Sequence, residues 1–346
     1  MHLAAGILLV VVGGALEGLF SLPVTRTPKW RWENIWGLGS LVALVLVPWP
    51  AALATVPNLG EVFRQVEPGL LVCILLFGIG WGLGGIFWGK SIAAMGMALG
   101  ISLLMGLVNV FSSPVLLAFT HGPRKLLEPG GLTLLAAVAI MVAGVTVCAA
   151  AGAAKQRDLR CGAESAAGGR STSPFAVGLM FCIISAVFSS MLNFGFVYGE
   201  PLKQAALKTH ASSAAAPNAI WALVFTGNYA VNAIYGFFLM FKNKTAGLIV
   251  SQASVRNWCG VLFMGIAWPL GVVLYGIGAD CMGQYGAFVA FPMLLVMAIL
   301  FGNLAGALTG EWRGASKKTK MTMVAGVLVL VAAFIIFGVA HRLLGT

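Results

Sequence analysis

The sequence predicts an all-α polytopic membrane protein with ten transmembrane helices, arranged as two inverted five-helix repeats. First, the charged residues occur in short clusters, and ten long stretches between them carry almost none. Second, charged residues make up 9% of the chain and hydrophobic residues 60%, whereas a soluble domain has about 25% charged residues. Third, a helix rises about 1.5 Å per residue, so each stretch can cross a bilayer core about 30 Å thick.

Helices are the expected spanning form because a backbone in lipid must satisfy its own hydrogen bonds. The alternation of a β-barrel strand is missing from runs such as Val324–Val331. The ten predicted spans are Leu3–Thr25 (interrupted only by Glu17), Ile35–Gly60, Pro68–Gly89, Ser91–Thr120, Pro129–Ala154, Ser171–Gly199, Ala211–Phe241, Asn257–Ala279, Cys281–Gly310 and Met321–His341.

A polar segment divides the predicted spans five and five. Lys155–Pro174 mixes charges with Gly, Ser and Ala and has no apolar periodicity, as is typical of a linker. The sequence therefore predicts a first five-helix repeat at 1–154, a cytoplasmic linker at 155–174 and a second repeat at 175–346. Because five is odd, the second half enters the membrane in the opposite orientation, which is a recurring plan in transporters. A long loop without a repeat is the alternative.

The basic residues predict the orientation of the chain. The net charge is +11, but fifteen of the 21 Lys and Arg residues lie in the loops after spans one, three, five, seven and nine. Basic residues concentrate in cytoplasmic loops, so both termini are expected on the periplasmic side. The charge thus indicates topology in a lipid bilayer, and no nucleic-acid partner is expected.

Glycines at four-residue spacing predict close helix packing. In the third span Gly78/Gly82, Gly80/Gly84 and Gly85/Gly89 each lie on one helical face. Glycine allows two helix backbones to approach closely in lipid. Softening of the helix for movement is the second interpretation.

Neutral polar residues inside the spans are the first candidates for a binding site. They are Asn193, Asn228, Asn232, Gln284 and Tyr285, and the pair Asn228 and Asn232 shares one helical face. An amide offers both donors and acceptors, which suits a polyol better than an ion. Hydrogen bonding between helices is the structural alternative.

Tryptophans are the second group of candidates because an indole ring can stack on the apolar face of a sugar. Trp81 and Trp268 lie deep enough in their spans for this role, although packing remains possible for both. Tryptophan is also common at the lipid headgroups. That location is expected for Trp30, Trp32, Trp36, Trp49 and Trp312.

Glu17 is the acidic residue well inside a predicted span. Burial in hydrocarbon disfavours the charged form of a carboxyl group, so Glu17 is a candidate for binding and releasing a coupling proton. The structural alternative is a neutral carboxyl group, or one paired with Lys90.

No enzyme, cofactor or metal site is expected. Gly84–Ser91 matches the phosphate-loop pattern, but it falls at the end of an apolar helix and not between a strand and a soluble helix. The six cysteines form no paired spacing. The four histidines lie at span ends or in loops, so no intramembrane catalytic arrangement is indicated.

The segment Pro23–Trp36, PVTRTPKWRWENIW, resembles the rhamnose–proton symporter family of the drug/metabolite transporter superfamily, whose members have a similar W-x-W-E-x-x-W after the first helix. The likeness touches both halves of the chain. It continues through Leu76–Gly89, Met95–Gly106, Ser185–Asn193, Gln284-Tyr285 and Glu311-Trp312.

This resemblance implies ten helices in a five-plus-five inverted repeat and proton-driven uptake of a sugar, L-rhamnose, across a bacterial inner membrane. It also implies an acidic residue where this chain has Gly286, and a small residue where it has Glu17. A carrier or exporter of another small polar metabolite is therefore the alternative within transport, and an intramembrane protein without transport activity is the more distant one.

Overall fold

The computed structural model describes residues 2–22, 29–95, 97–160, 175–310 and 312–345, and every regular element in these ranges is helical. Two π-helical turns (Val42–Leu46 and Phe111–Val115) and a 3₁₀ helix (Pro123–Leu127) join α-helical segments. The α-helices are α1 (His2–Leu19), α2 (Trp32–Leu41), α3 (Pro48–Thr55), α4 (Leu59–Arg64), α5 (Pro68–Met95), α6 (Met97–Val110), α7 (Leu116–His121), α8 (Pro129–Arg160), α9 (Phe175–Tyr198), α10 (Glu200–Lys208), α11 (Asn218–Lys242), α12 (Leu248–Ser251), α13 (Val255–Cys281), α14 (Gly286–Leu308) and α15 (Lys317–Leu344).

In the described part of the chain, nine helical stretches are long and apolar enough to cross a membrane. The first predicted span corresponds to a shorter apolar helix, Leu3–Leu19. The all-helical, multi-span class is thus confirmed. The nine stretches are Trp32–Thr55, Pro68–Ser91, Leu103–His121, Pro129–Lys155, Ala176–Lys208, Asn218–Lys242, Val255–Cys281, Gly286–Leu308 and Lys317–Leu344.

The start of the predicted linker is helical. Residues 155–160 continue α8 to Arg160, because Lys, Gln, Arg and Leu all favour a helix. The remainder of the linker, 161–174, lies outside the described residues, as do residues 23–28 of the W-x-W-E-x-x-W segment and Glu311.

Contacts divide the chain into two compact units. Unit 1 comprises Met1–Leu83 and Met191–Gly283, and unit 2 comprises Gly84–Ser190 and Gln284–Thr346. Each unit therefore combines helices from both sides of the linker, and the boundaries fall within α5 and α9. A five-plus-five inverted repeat describes the order and orientation of the helices along the chain. The division into compact units does not test this, so the repeat stays a prediction.

Glycines bring the helices of unit 1 together. A Cβ added to Gly78 of α5 would overlap the carbonyl oxygen of Val224 on α11. One added to Gly82 would lie 2.8 Å from the Val231 Cβ. The predicted close packing is thus observed at Gly78 and Gly82, whereas Gly85 and Gly89 have nothing within 4 Å of an added Cβ.

Close contacts at glycines also join α1 to α13. A Cβ on Gly6 would be 2.8 Å from the Gly278 carbonyl oxygen, and a Cβ on Gly278 would be 2.8 Å from the Gly6 carbonyl oxygen. Small residues at both positions are therefore required for these two helices to lie side by side.

In unit 2, α8 and α15 pack along each other, and a carboxylate from α8 caps the start of α15. The Asp158 Oδ2 accepts hydrogen bonds from the Ser316 backbone N–H at 2.8 Å and from the Thr319 hydroxyl at 2.7 Å. Ser316 also caps α15 through its own hydroxyl, which accepts from the Thr319 N–H at 3.2 Å. The Ser316 N–H holds the pKa of the Asp158 carboxyl below its ordinary value, with help from the Thr319 hydroxyl.

Replacing Asp158 by Asn should lower the melting temperature at neutral pH. A carboxyl group whose pKa is depressed by folding stabilises the protein above its unfolded pKa, and this stabilisation is lost as the pH falls through the folded value. Thermal melts of wild type and Asp158→Asn should therefore differ at pH 7 and converge in acid. Curves that stay separate at every pH would show that the charge does not matter.

Candidate functional site

Three aromatic rings of unit 1 meet around Trp268 of α13, and the four rings together form what we call the aromatic cluster. Phe20, just after α1, stacks on Trp268 with ring centroids 5.4 Å apart. Trp36 of α2 lies 5.6 Å from Trp268, and Trp81 of α5 lies 5.8 Å from it, edge to face. The predicted pair Trp81 and Trp268 is thus brought together. Offset and edge-to-face contacts are the preferred arrangements of aromatic rings.

The predicted amides of α11 adjoin this cluster. Asn232 Nδ2 donates to the side-chain oxygen of Asn228 and to its backbone oxygen at 3.1 Å. Trp36 Nε1 donates to Asn232 Oδ1 at 2.7 Å. Trp36 therefore contacts the aromatic cluster with its ring and the amide pair with its indole N–H.

Glu17 lies beside the aromatic cluster. Glu17 is on α1, three residues before Phe20, and a Cβ on Gly271 would be 3.0 Å from the Glu17 Oε1. Gly271 follows Trp268 by three residues on α13, so Glu17 and Phe20 face Gly271 and Trp268 across the two helices. The Glu17 Oε1 is buried and has no hydrogen-bond partner among the described residues.

The surroundings of Glu17 differ from those of Asp280 at the end of α13. Asp280 Oδ1 accepts a hydrogen bond from Lys203 Nζ at 2.9 Å, and the same ammonium group pairs with Glu200 at 2.7 Å. Lys90, considered as a partner of Glu17, belongs to unit 2, where its Nζ lies over the Phe87 ring. Among the described residues of unit 1, Glu17 thus has a buried carboxyl oxygen without a hydrogen-bond partner, whereas Asp280 is paired with Lys203.

Asn193 occupies a separate, fully packed position in unit 1. Its Oδ1 accepts a hydrogen bond from the Tyr275 hydroxyl, and both side chains are completely buried. Trp221 stacks on Phe196 with centroids 5.0 Å apart, next to Tyr275. Asn193 therefore takes part in a hydrogen bond between two helices, which is the structural alternative given above for the amides.

Gln284 and Tyr285 belong to unit 2, at the start of α14. Gln284 is exposed. The Tyr285 ring lies 5.1 Å from the His121 ring and 5.0 Å from Lys125 Nζ. Tyr285 therefore has a histidine and a lysine as neighbours, and Gln284 faces outward from unit 2. The Glu128 carboxylate accepts a hydrogen bond from Lys125 Nζ and raises the pKa of that ammonium group.

Two residues of the W-x-W-E-x-x-W segment, Trp30 and Glu33, are held by contacts with other helices of unit 1. Trp30 is 6% exposed and packs edge-on against Trp258. The Glu33 carboxylate accepts hydrogen bonds from Asn243 Nδ2 at 3.0 Å and Thr245 Oγ1 at 2.8 Å. Trp30 shares a buried cluster with Val261 and Met264 of α13, and its expected location at the headgroups stays a prediction.

Sequence reasoning missed Trp36, Phe20 and Gly271. The sequence predicts a headgroup location for Trp36 because tryptophan is common there. The sequence does hold one signal for Trp36. Its spacing of four residues from Trp32 puts both rings on one face of α2, and they stack with ring centroids 5.3 Å apart. Nothing in the sequence pairs Phe20 with Trp268 or Glu17 with Gly271, because that pairing depends on which helices are neighbours.

The chain matches the protein family described as L-rhamnose-proton symport protein (RhaT) over residues 2–342. It is 26% identical over 343 residues to the L-rhamnose-proton symporters of Yersinia pestis (strain Pestoides F) and Yersinia pseudotuberculosis serotype O:1b (strain IP 31758). In each case 96% of this chain and 96% of the relative are covered.

Among solved structures, one titled "Crystal structure of protein" superposes with a TM-score of 0.54 at 16% identity, covering 96% of this chain and 94% of the other. At that identity the likeness concerns the fold alone. The family match, by contrast, extends over almost the whole sequence and includes both compact units. The chain is therefore a multi-pass membrane protein that belongs to the L-rhamnose-proton symport protein family, a family of transporters and not of enzymes.

Proposed function

We propose that the protein is a proton-coupled secondary transporter of a sugar, with L-rhamnose as the first candidate. Family membership supports sugar–proton symport as the class of activity. The single structural observation that carries the proposal is the position of Glu17, whose buried oxygen adjoins Gly271 one helical turn from Trp268. A proton-binding group thus lies directly beside a surface suited to a sugar.

The aromatic cluster and the amide pair supply the two kinds of contact that a deoxy sugar needs. The ring faces of Trp81 and Trp268 can pack against C–H groups, and the amides of Asn228 and Asn232 can bond hydroxyl groups. We include Asn193, Gln284 and Tyr285 as further substrate-binding candidates, as the sequence predicts. A carrier of another small polar metabolite is the second candidate, because aromatic and amide groups recognise many polyols.

Coupling in this proposal depends on the protonation of Glu17. A charged carboxylate within the membrane is costly, so the sugar-loaded carrier reorients readily only when the carboxyl group is protonated, and the empty carrier returns after the proton has been released. Sugar bound against the adjoining aromatic cluster favours the protonated form by excluding water. We further propose that the two five-helix halves are inverted repeats and that the site alternates between the two sides of a bacterial inner membrane.

Uptake into proteoliposomes tests the proposed function. Labelled L-rhamnose should accumulate saturably when the outside is more acidic than the lumen, and it should only equilibrate without a pH difference. Saturable uptake of a different polyol, but not of L-rhamnose, would favour the second candidate. Absence of any saturable sugar uptake would overturn the proposal.

Replacing Asn228 or Asn232 by Ala should weaken substrate binding while leaving membrane insertion intact. Each lost hydrogen bond costs about 0.5–1.5 kcal/mol, or about 2- to 12-fold in affinity. Asn193→Ala should in addition destabilise the fold, because the buried Tyr275 hydroxyl loses its acceptor. Gln284→Ala is expected to weaken binding without that loss of stability.

Asn303→Ala is a matched control for the amide variants. Asn303 lies on α14, and its Nδ2 donates to the Ile299 backbone oxygen of its own helix at 2.9 Å. Affinity measured by inhibition of labelled uptake should be unchanged in this variant. Normal transport by the Asn228 and Asn232 variants would make those amides packing residues.

Both termini are proposed to face the periplasm, from the excess of Lys and Arg in the alternate loops. A reporter that is active only in the cytoplasm should be inactive when fused after Thr346 and active when inserted into the linker at 161–174. Activity at Thr346 would reverse the assignment.

A further inference from the structure

Trp36 fixes the direction of the hydrogen bonds in the amide pair. An indole N–H can only donate, so the atom of Asn232 that lies 2.7 Å from Trp36 Nε1 must be the amide oxygen. The Asn232 Nδ2 then points to Asn228 and donates to its side-chain and backbone oxygens. The two ends of an amide are otherwise hard to distinguish, and here the indole N–H and the Asn228 backbone oxygen agree on the orientation.

This chain of bonds leaves one acceptor and one donor for a ligand. The Asn232 Oδ1 has a second lone pair after accepting from Trp36, and the Asn228 Nδ2 remains as a donor because the Asn228 oxygen is used by Asn232. An adjacent acceptor and donor match two neighbouring hydroxyl groups of a sugar. Without the indole N–H, only the bond from Asn232 Nδ2 to the Asn228 backbone oxygen at 3.1 Å still sets the direction of the pair, so the two amides are held less firmly in these roles.

The same residue ties the amide pair to the aromatic cluster. The Trp36 ring lies 5.6 Å from Trp268 and 5.3 Å from Trp32, so its indole N–H cannot swing away from Asn232 without disturbing these packed rings. The position of the hydroxyl-binding groups relative to the sugar-stacking surface is therefore set by one side chain.

We propose that Trp36 is a specificity-determining positioning residue, which acts through Asn232 to present a fixed acceptor–donor pair to neighbouring hydroxyl groups of the substrate. This inference rests on the proposed function. It predicts that removal of the indole N–H alone affects the discrimination between sugars that differ only in hydroxyl configuration.

The test compares Trp36→Phe with Trp49→Phe in proteoliposomes. Trp49 Nε1 donates to Thr226 Oγ1 of α11 at 2.8 Å, so the control also removes one indole hydrogen bond to the same helix. Uptake of labelled L-rhamnose is measured with unlabelled L-rhamnose or L-fucose as competitor. These two deoxy sugars differ in the configuration of their hydroxyl groups.

For Trp36→Phe we expect about 3- to 10-fold weaker competition by L-rhamnose, with a smaller ratio between the two competitors. Trp49→Phe should keep the wild-type affinity and ratio. The double variant Trp36→Phe/Asn232→Leu should be no worse than Asn232→Leu alone, because the indole N–H acts only through that amide. Additive losses would overturn the inference and leave Trp36 as a stacking residue.

Two further outcomes separate the inference from the proposed function. If wild type takes up L-rhamnose but Trp36→Phe keeps its affinity and its ratio, the positioning role is wrong and the proposed function stands. If wild type takes up no sugar, both fail. Should Trp36→Phe not reach the membrane, Asn232→Leu breaks the same chain of bonds from its other end and must show the same smaller ratio.

Discussion

Glu17→Gln should abolish uphill accumulation of sugar and leave exchange intact. Glutamine keeps the size and hydrogen-bonding capacity of a protonated glutamic acid, but it cannot release a proton. The loaded carrier can still reorient, so labelled sugar should exchange with unlabelled sugar on the other side of the membrane. With one proton per sugar, an inward gradient of two pH units supports about 100-fold accumulation in wild type, and we expect none in the variant.

Glu61→Gln is the control for this experiment, because the Glu61 side chain is 54% exposed and pairs only loosely with Arg64 at 3.9 Å. It should accumulate sugar as wild type does. Normal accumulation by Glu17→Gln would exclude Glu17 as the coupling residue. Loss of both accumulation and exchange would indicate a structural role at the contact of α1 with α13.

Gly227→Ala should cause a large loss of stability in unit 1. A Cβ on Gly227 of α11 would overlap the Leu75 carbonyl oxygen of α5 and would lie 2.8 Å from the Ile79 nitrogen. Both atoms are backbone, so the methyl group fits only if the two helices separate. Overpacking of this kind costs about 1–3 kcal/mol, and more where the surroundings cannot adjust.

Gly85→Ala provides the comparison, because an added Cβ there meets nothing within 4 Å. Alanine also favours a helix over glycine by about 1 kcal/mol. Melting in detergent should therefore show a large decrease for Gly227→Ala and an unchanged or higher melting temperature for Gly85→Ala. Equal melting temperatures would show that α5 and α11 do not pack as described.

Hydropathy and charge predicted the fold class because both are local properties of the chain. Each apolar stretch must be helical in lipid whatever its neighbours, so nine helices could be located without knowledge of their packing. The extent of α8 could not be located in this way, since residues 155–160 are polar and still helical. The grouping of helices into two units also depends on which residues meet, and no period in the sequence records that.

The candidate site was predictable where one helix defines it. Asn228 and Asn232 share a face of α11, and their mutual hydrogen bond follows from that spacing. The roles of Trp36 and Gly271 depend on contacts between α2 and α11 and between α1 and α13. Gln284 and Tyr285 resemble the other candidates in the sequence because they are polar groups at the edge of an apolar stretch, yet Gln284 is exposed and Tyr285 has His121 and Lys125 as neighbours.

The direct test of proton-coupled sugar transport is the pH of the vesicle lumen during sugar entry. Proteoliposomes that contain a pH-sensitive dye, with the membrane potential clamped and no pH gradient imposed, should acidify inside when L-rhamnose is added outside. Glu17→Gln vesicles should show no acidification under the same conditions. Entry of labelled L-rhamnose into wild-type vesicles without any change of lumen pH would contradict proton coupling.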